Sequence, residues 1–125
     1  MSATDLKYSA LVRELFGQPK HVGTLPRGPG VAIGEAGNIE RGAWVRFYLG
    51  IGGGRVTDAR FRAYGCPHTL AAAEWVCRHV TGRSVTEASS PGFVSAPQWA
   101  TALEAPAEKL GRLLIVEDAL RASLR

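Results

Sequence analysis

Two alternating stretches joined by a run of glycines most constrain what this chain can fold into. Residues 44–51 place apolar and polar or aromatic side chains on opposite faces, and residues 55–64 repeat the alternation. The apolar face of the first stretch consists of Val45, Phe47, Leu49 and Ile51. The glycine-rich residues 50–54 predict a tight turn and therefore an antiparallel hairpin. Val56 falls out of phase, which predicts a β-bulge near Thr57.

Helical patterns lie on both sides of this hairpin. The other predicted elements are a first helix capped by Thr4 or Asp5 and ending near Phe16, a short edge strand over 31–34, a buried helix over 70–80, a short helix after the capping box 84–87, a loop over 89–97 and a final helix over 107–124. The order α–β–β–β–α–α predicts an α+β fold, in which a small three-stranded antiparallel sheet packs against helices.

Length and composition predict one soluble domain over residues 1–125. Hydrophobic residues make up 46% of the chain and charged residues 21%, which is typical of a globular protein. The net charge is +4, and the basic residues are scattered along the chain, so we expect an acidic protein partner rather than a nucleic acid. The sequence shows neither a signal-peptide core nor an apolar run of bilayer length, which predicts a cytoplasmic protein without membrane contact.

The two cysteines, Cys66 and Cys77, are predicted to be free thiols. Eleven residues of helix separate them by ~16 Å, whereas a disulfide reaches about 7 Å between Cα atoms. Cys66 stands between the second hairpin strand and the following helix, where helix amides favour a thiolate. A thiolate at such a turn binds soft metals or carries sulfur, so this turn is the first candidate site.

Four pieces of sequence, in order along the chain, resemble the IscU/NifU-type family of iron–sulfur cluster assembly scaffolds. They are Tyr8 with residues 18–23 (QPKHVG), residues 58–61 (DARF) with 64–66 (YGC), residues 82–84 (GRS) with 87–88 (EA), and Lys109 with residues 117–120 (EDAL). The resemblance covers nearly the whole chain. It implies the IscU/NifU N-terminal fold, a place in iron–sulfur cluster assembly, and a cysteine desulfurase or another assembly protein as partner.

The chain departs from that family at the cluster ligands. The family's "CGD" turn is here residues 38–42 (NIERG), and its His-Cys pair is here Gly111 and Arg112. Only Cys66 remains of the ligand set that the resemblance implies. Since a cluster usually takes four protein ligands, we expect a degenerate scaffold with no cofactor in the monomer, acting as an accessory or regulatory binding module.

Three residues besides Cys66 are candidates for this site, each with a structural alternative. Arg112 and Glu40 are predicted to form an ion pair that replaces the metal, or else to point into water. Cys66, His68 and Glu40 are weaker candidates for ligands of zinc or iron, the alternative being a surface histidine at a helix start. Cys66 itself is either a reactive thiol or a packed structural one.

Two further functions stay open from the sequence. Cys66 from two chains of a dimer, with His68 or Glu40, could share one cluster, and Cys66 could instead carry a persulfide. The oligomeric state is therefore monomer or dimer. No Ser/His/Asp triad or carboxylate pair is visible, so we expect that the protein is not an enzyme. Trp99 is predicted to pack in the interior or, alternatively, to anchor a partner.

Overall fold

The computed structural model describes residues 8–124 of the 125-residue chain. Its helices and strands are α1 (Ala10–Gly17), β1 (Val31–Asn38), β2 (Ala43–Gly52), β3 (Arg55–Tyr64), α2 (Pro67–Val80), α3 (Val85–Ala88), α4 (Ala96–Leu103) and α5 (Leu110–Ser123). Short 3-10 turns over Ile39–Arg41 and Ala107–Lys109 precede β2 and α5. This arrangement is the predicted α+β fold.

The three strands form one antiparallel sheet in the order β1-β2-β3, as the alternation predicted. Gly53 and Gly54 connect β2 to β3 with φ angles of 60° and 75°. Positive φ at both central residues is what a tight hairpin turn requires, and glycine adopts it without strain. The register shifts between Gly50 and Ile51, which leaves Thr57 as the extra residue and confirms the predicted bulge.

The helices pack against one face of the sheet, and the core lies between these layers. The largest fully buried side chains of the sheet, each less than 2% exposed, are Phe47, Phe61, Leu49 and Val45. Helix α5 approaches β1 so closely that a β-carbon at Gly34 would overlap the backbone of Ser123. Glycine at this position therefore sets the distance between the last helix and the sheet edge.

Several predicted boundaries were wrong. Thr4 and Asp5 lie outside the described residues, but Tyr8 and Ser9 are not helical, and the backbone N–H of Val12 donates to Ser9 Oγ at 3.1 Å. Ser9 therefore caps α1. Strand β1 is twice as long as predicted, because its pairing with β2 continues from Val31 to Asn38.

The C-terminal part of the chain is also more structured than predicted. Helix α4 occupies the end of the predicted loop, and its Trp99 is 1% exposed with Nε1 donating to the carbonyl of Phe93 at 2.9 Å. Trp99 is thus a core residue, and its use as a partner anchor is ruled out by burial. None of the helices within residues 8–124 has the length and apolar content needed to cross a bilayer.

Candidate functional site

Cys66 lies where the sheet meets the helical layer. Strand β3 ends at Tyr64, Gly65 makes the turn, and Cys66 is the N-cap residue of α2. Gly65 packs against Thr69, since a β-carbon there would come within 2.8 Å of Thr69 Oγ1. Pro67 occupies the first turn of α2, where its missing N–H is not needed. The thiol is partly buried, and its Sγ lies 3.7 Å from Thr69 Oγ1.

The surroundings of Cys66 favour its ionised form. Partial burial disfavours the thiolate, but the backbone N–H and hydroxyl of Thr69, the backbone N–H of His68 and the charge of Lys109 outweigh it. The pKa of Cys66 is therefore below its ordinary value. Cys77 is the opposite case, because complete burial and the charge of Glu74 raise its pKa well above the ordinary value. The Cys66 thiol therefore ionises more readily than the Cys77 thiol, which is fully buried.

His68 is buried, so the interpretation as a surface histidine at a helix start is wrong. Its side chain is 1% exposed, and neither Nδ1 nor Nε2 has a hydrogen-bond partner. Burial and the nearby charge of Lys109 lower the pKa of His68, so the ring is neutral near pH 7. The ring centroid lies 5.0 Å from that of Tyr8, and both residues line a cleft of about 430 Å³ with Lys109.

The predicted three-ligand metal set is not assembled in the structure. Glu40 is exposed in the 3-10 turn before β2. Within residues 8–124, no three His, Cys, Asp or Glu side chains lie close enough together to hold an ion. Cys66 and His68 are neighbours at the start of α2, yet no third ligand joins them.

Arg112 reaches from α5 to the turn that precedes β2. A β-carbon at Gly42 would lie 3.2 Å from Nη1 of Arg112, so the guanidinium packs directly on this turn. No ion pair within the described part of the chain includes Glu40 or Arg112. The predicted Arg112–Glu40 pair is therefore not formed here, although Arg112 does bring a positive charge to the turn beside Glu40.

Comparison with known proteins now identifies the family. A family model described as the NifU-like N terminal domain matches residues 7–125. The chain belongs to this family. The resemblance stated from sequence is thereby confirmed.

Two relatives and one solved structure illustrate the similarity. The iron sulfur cluster assembly protein 1, mitochondrial, of Schizosaccharomyces pombe is 31% identical over 120 residues, which are 94% of this chain and 61% of that protein. The iron-sulfur cluster assembly scaffold protein IscU of Haemophilus influenzae is 29% identical over 121 residues, which are 95% of this chain and 94% of that one.

The solved structure is that of a putative iron-sulfur cluster assembly scaffold protein for the SUF system from Fervidobacterium islandicum. It superposes with a TM-score of 0.74 at 16% identity, covering 98% of this chain and all of that one. At that identity the match establishes the shared fold and nothing more. The two relatives are named as scaffold or assembly proteins. This member of the NifU-like family spans only 61% of the yeast relative's length.

A buried carboxylate that the sequence reasoning missed organises the N-terminal part of this family member. Glu74 of α2 is fully buried, and its Oε1 accepts hydrogen bonds from the backbone N–H groups of Lys20 and His21, both at 2.8 Å. Its Oε2 lies 2.6 Å from His21 Nδ1 and accepts from Arg78 Nε at 2.8 Å. These contacts lower the pKa of Glu74 in spite of its burial.

The Glu74 contacts hold the segment 18–23 against α2, and backbone hydrogen bonds hold the same segment against the sheet. The backbone N–H of Phe61 donates to the carbonyl of His21, and the N–H of Gly23 donates to the carbonyl of Phe61, both at 2.9 Å. The segment thus extends the edge of β3, the strand that leads to Cys66. A glutamate inside an otherwise apolar helix was the available sequence signal, because a buried charge requires partners.

Proposed function

We propose that this chain takes part in iron–sulfur cluster assembly as an accessory or regulatory binding module, and that it does not hold a cluster by itself. The family and the names of its relatives support the pathway. The observation that carries the finer proposal is Arg112. At a position where the resemblance implies a ligand cysteine, the chain places a guanidinium that packs on the turn at Gly42.

The donor set does not fit a cluster within one chain. Iron–sulfur clusters are held by several thiolates, with histidine as an occasional replacement. Cys66 supplies one thiolate, the buried His68 supplies an imidazole, and the nearby charge of Lys109 is positive. Positive charge stabilises a free thiolate but repels Fe²⁺. The site therefore suits an anionic sulfur atom better than a metal cluster.

Anaerobic reconstitution with iron and sulfide tests this proposal. We expect no stable visible chromophore and no iron above background in the monomer after desalting. A chromophore with near-stoichiometric iron in the monomer would refute it. Size-exclusion mass with and without iron distinguishes the remaining alternative, in which two chains share one cluster through their Cys66 residues. In that case the chromophore would elute with the dimer.

Cys66 also supports a second candidate function, that of a sulfur acceptor. Its partly exposed thiol, with a lowered pKa, is the observation that favours it. The Cys66 thiolate would attack the terminal sulfur of a cysteine desulfurase persulfide. A new S–S bond would form on Cys66, the old S–S bond would break, and the desulfurase cysteine would leave as a thiolate, without net oxidation.

Mass spectrometry after incubation with a desulfurase and cysteine tests the acceptor role. We expect the mass of one added sulfur atom on the peptide that contains Cys66. The adduct should be lost in Cys66→Ser and retained in Cys77→Ser, because Cys77 is buried. Absence of the adduct in the unmodified protein would remove this candidate without affecting the binding-module proposal.

A further inference from the structure

The face of the sheet opposite the helices carries a compact group of aromatic and arginine side chains. In the register of β2 and β3, Trp44 is paired with Tyr64, and Arg46 is paired with Arg62. The two pairs are two residues apart on each strand, so all four side chains lie on the same face. We call these four residues the aromatic–arginine square.

The square holds more positive charge than its neighbours neutralise. Arg46 Nε donates to Glu35 Oε2 at 2.6 Å, and its guanidinium lies 5.1 Å from the centre of the Trp44 ring. Arg62 is exposed and forms no ion pair within the described residues. Like charges directly opposite each other across strands are destabilising. Glu35 thus pairs with Arg46 alone, and an anion bound at Arg62 would reduce the repulsion between Arg46 and Arg62.

The same square also exposes apolar surface. Tyr64 is 52% exposed and Trp44 is partly exposed, although aromatic side chains of this size usually lie inside. Tryptophan, tyrosine and arginine are the residues that most often dominate binding energy in protein interfaces. Tyr64 is also two residues from Cys66, so a molecule bound at the square would lie beside the candidate site.

We propose that the aromatic–arginine square docks an acidic segment of a partner protein, with a carboxylate on Arg62 and an apolar or aromatic side chain on Tyr64 and Trp44. The inference rests on the proposed binding-module function and names the chemistry of its partner. Failure of this inference can be distinguished from failure of the proposed function, because reconstitution tests for a bound cluster and peptide binding tests this face of the sheet.

Charge on the flanks of the square favours a protein over a nucleic acid. Glu35 and Asp58 lie on the same face, and their side chains are 49% and 42% exposed. A nucleic acid needs a continuous cationic track for its evenly spaced phosphates, and these carboxylates interrupt one. An acidic peptide can place its carboxylates at Arg62 and its uncharged residues elsewhere.

Binding of fluorescently labelled poly(Glu,Tyr) copolymer by the full chain, measured by anisotropy at low salt, tests the proposal. We expect tighter binding than to poly-L-glutamate, since the tyrosines can contact Tyr64 and Trp44. Arg62→Glu should weaken binding about tenfold or more, and Arg62→Gln should weaken it less. Tyr64→Ser should abolish the preference for the tyrosine-containing copolymer.

The matched control is Arg13→Glu, which changes the net charge by the same amount. Arg13 is exposed on α1, in the helical layer on the other side of the sheet, and forms no ion pair among residues 8–124. Circular dichroism should show every variant folded, because the substituted side chains are exposed. Three results would each overturn the proposal: no binding at low salt, equal weakening by Arg13→Glu and Arg62→Glu, or tighter binding to polyuridylate than to poly(Glu,Tyr).

Discussion

Replacing Glu74 by alanine should be among the most destabilising single changes in this protein. Its carboxylate is fully buried and receives two backbone N–H groups, Arg78 Nε and His21 Nδ1 at 2.6–2.8 Å. Glu74→Ala removes all four contacts at once and leaves the two backbone donors without an acceptor. It also releases segment 18–23 from α2, although that segment keeps its hydrogen bonds to Phe61.

The size of the effect follows from the burial of each partner. Removing one member of a buried ion pair costs about 3–5 kcal/mol, much of it from the partners left behind. The side chains of Arg78 and His21 are 26% and 21% exposed, so water can partly replace the carboxylate for them. The backbone N–H groups of Lys20 and His21 would lose their acceptor, at ~1–3 kcal/mol for each donor that stays unsatisfied. We therefore expect a loss of about 3–4 kcal/mol in the free energy of unfolding.

Urea unfolding followed by circular dichroism at pH 7 measures this loss. A domain of this length is stable by ~6–19 kcal/mol, so the variant should remain folded without denaturant. The matched control is Glu14→Ala, because Glu14 contacts the same Arg78 at 3.7 Å but is 61% exposed. It should cost less than about 1 kcal/mol. If both variants lose the same stability, the argument from burial is wrong.

The cost of Glu74→Ala should also depend on pH. The pKa of Glu74 is lowered in the folded protein, so its contribution to stability is complete above the pKa of the unfolded chain. That contribution is lost as the pH falls through the folded-state pKa, when the carboxylate takes up a proton. The difference between wild type and variant should therefore shrink on acidification. A difference that grows below pH 4.5 would contradict the assigned direction of the shift.

Three further predictions concern close packing at a glycine, the reactivity of the two thiols and the role of Arg112. Gly34→Ala should destabilise the protein by about 2 kcal/mol or more in urea unfolding, because its β-carbon would meet the α5 backbone, whereas Gly111→Ala, with open space around it, should be neutral or stabilising by up to about 1 kcal/mol. Iodoacetamide should alkylate Cys66 at a lower pH than a free thiol requires and leave Cys77 unmodified in the folded protein; equal labelling of both would contradict their assigned environments. Gly111→His combined with Arg112→Cys should confer zinc binding that also needs Cys66, measured by calorimetry; binding by the unmodified chain of equal strength would count against the role given to Arg112.

The hairpin was predictable because local chemistry determines it. The alternation over β2 and β3 determines which face of the sheet is buried. The two glycines with positive φ determine the turn, and the out-of-phase Val56 marks the bulge. The start of α1 was not predictable in the same way. Thr4, Asp5 and Ser9 are all competent N-caps, and Ser9 also donates to the carbonyl of Leu103 at 2.7 Å, a tertiary contact that the sequence does not reveal.

The candidate site was predictable in part for a similar reason. The position of Cys66 at the start of α2 follows from the strand-to-helix change at Gly65, which the sequence shows directly. The buried His68 packs beside Tyr8, sixty residues away, and no local pattern encodes this contact. Likewise the pairing of Glu74 with His21 depends on where segment 18–23 crosses α2.

Native mass spectrometry of the chain after anaerobic reconstitution tests the central claim most directly, because it weighs the monomer and its cargo together. We expect the monomer at its apo mass, while the Gly111→His, Arg112→Cys variant under the same conditions should carry bound metal. A monomer of the unmodified chain that carries iron and sulfide would contradict the account.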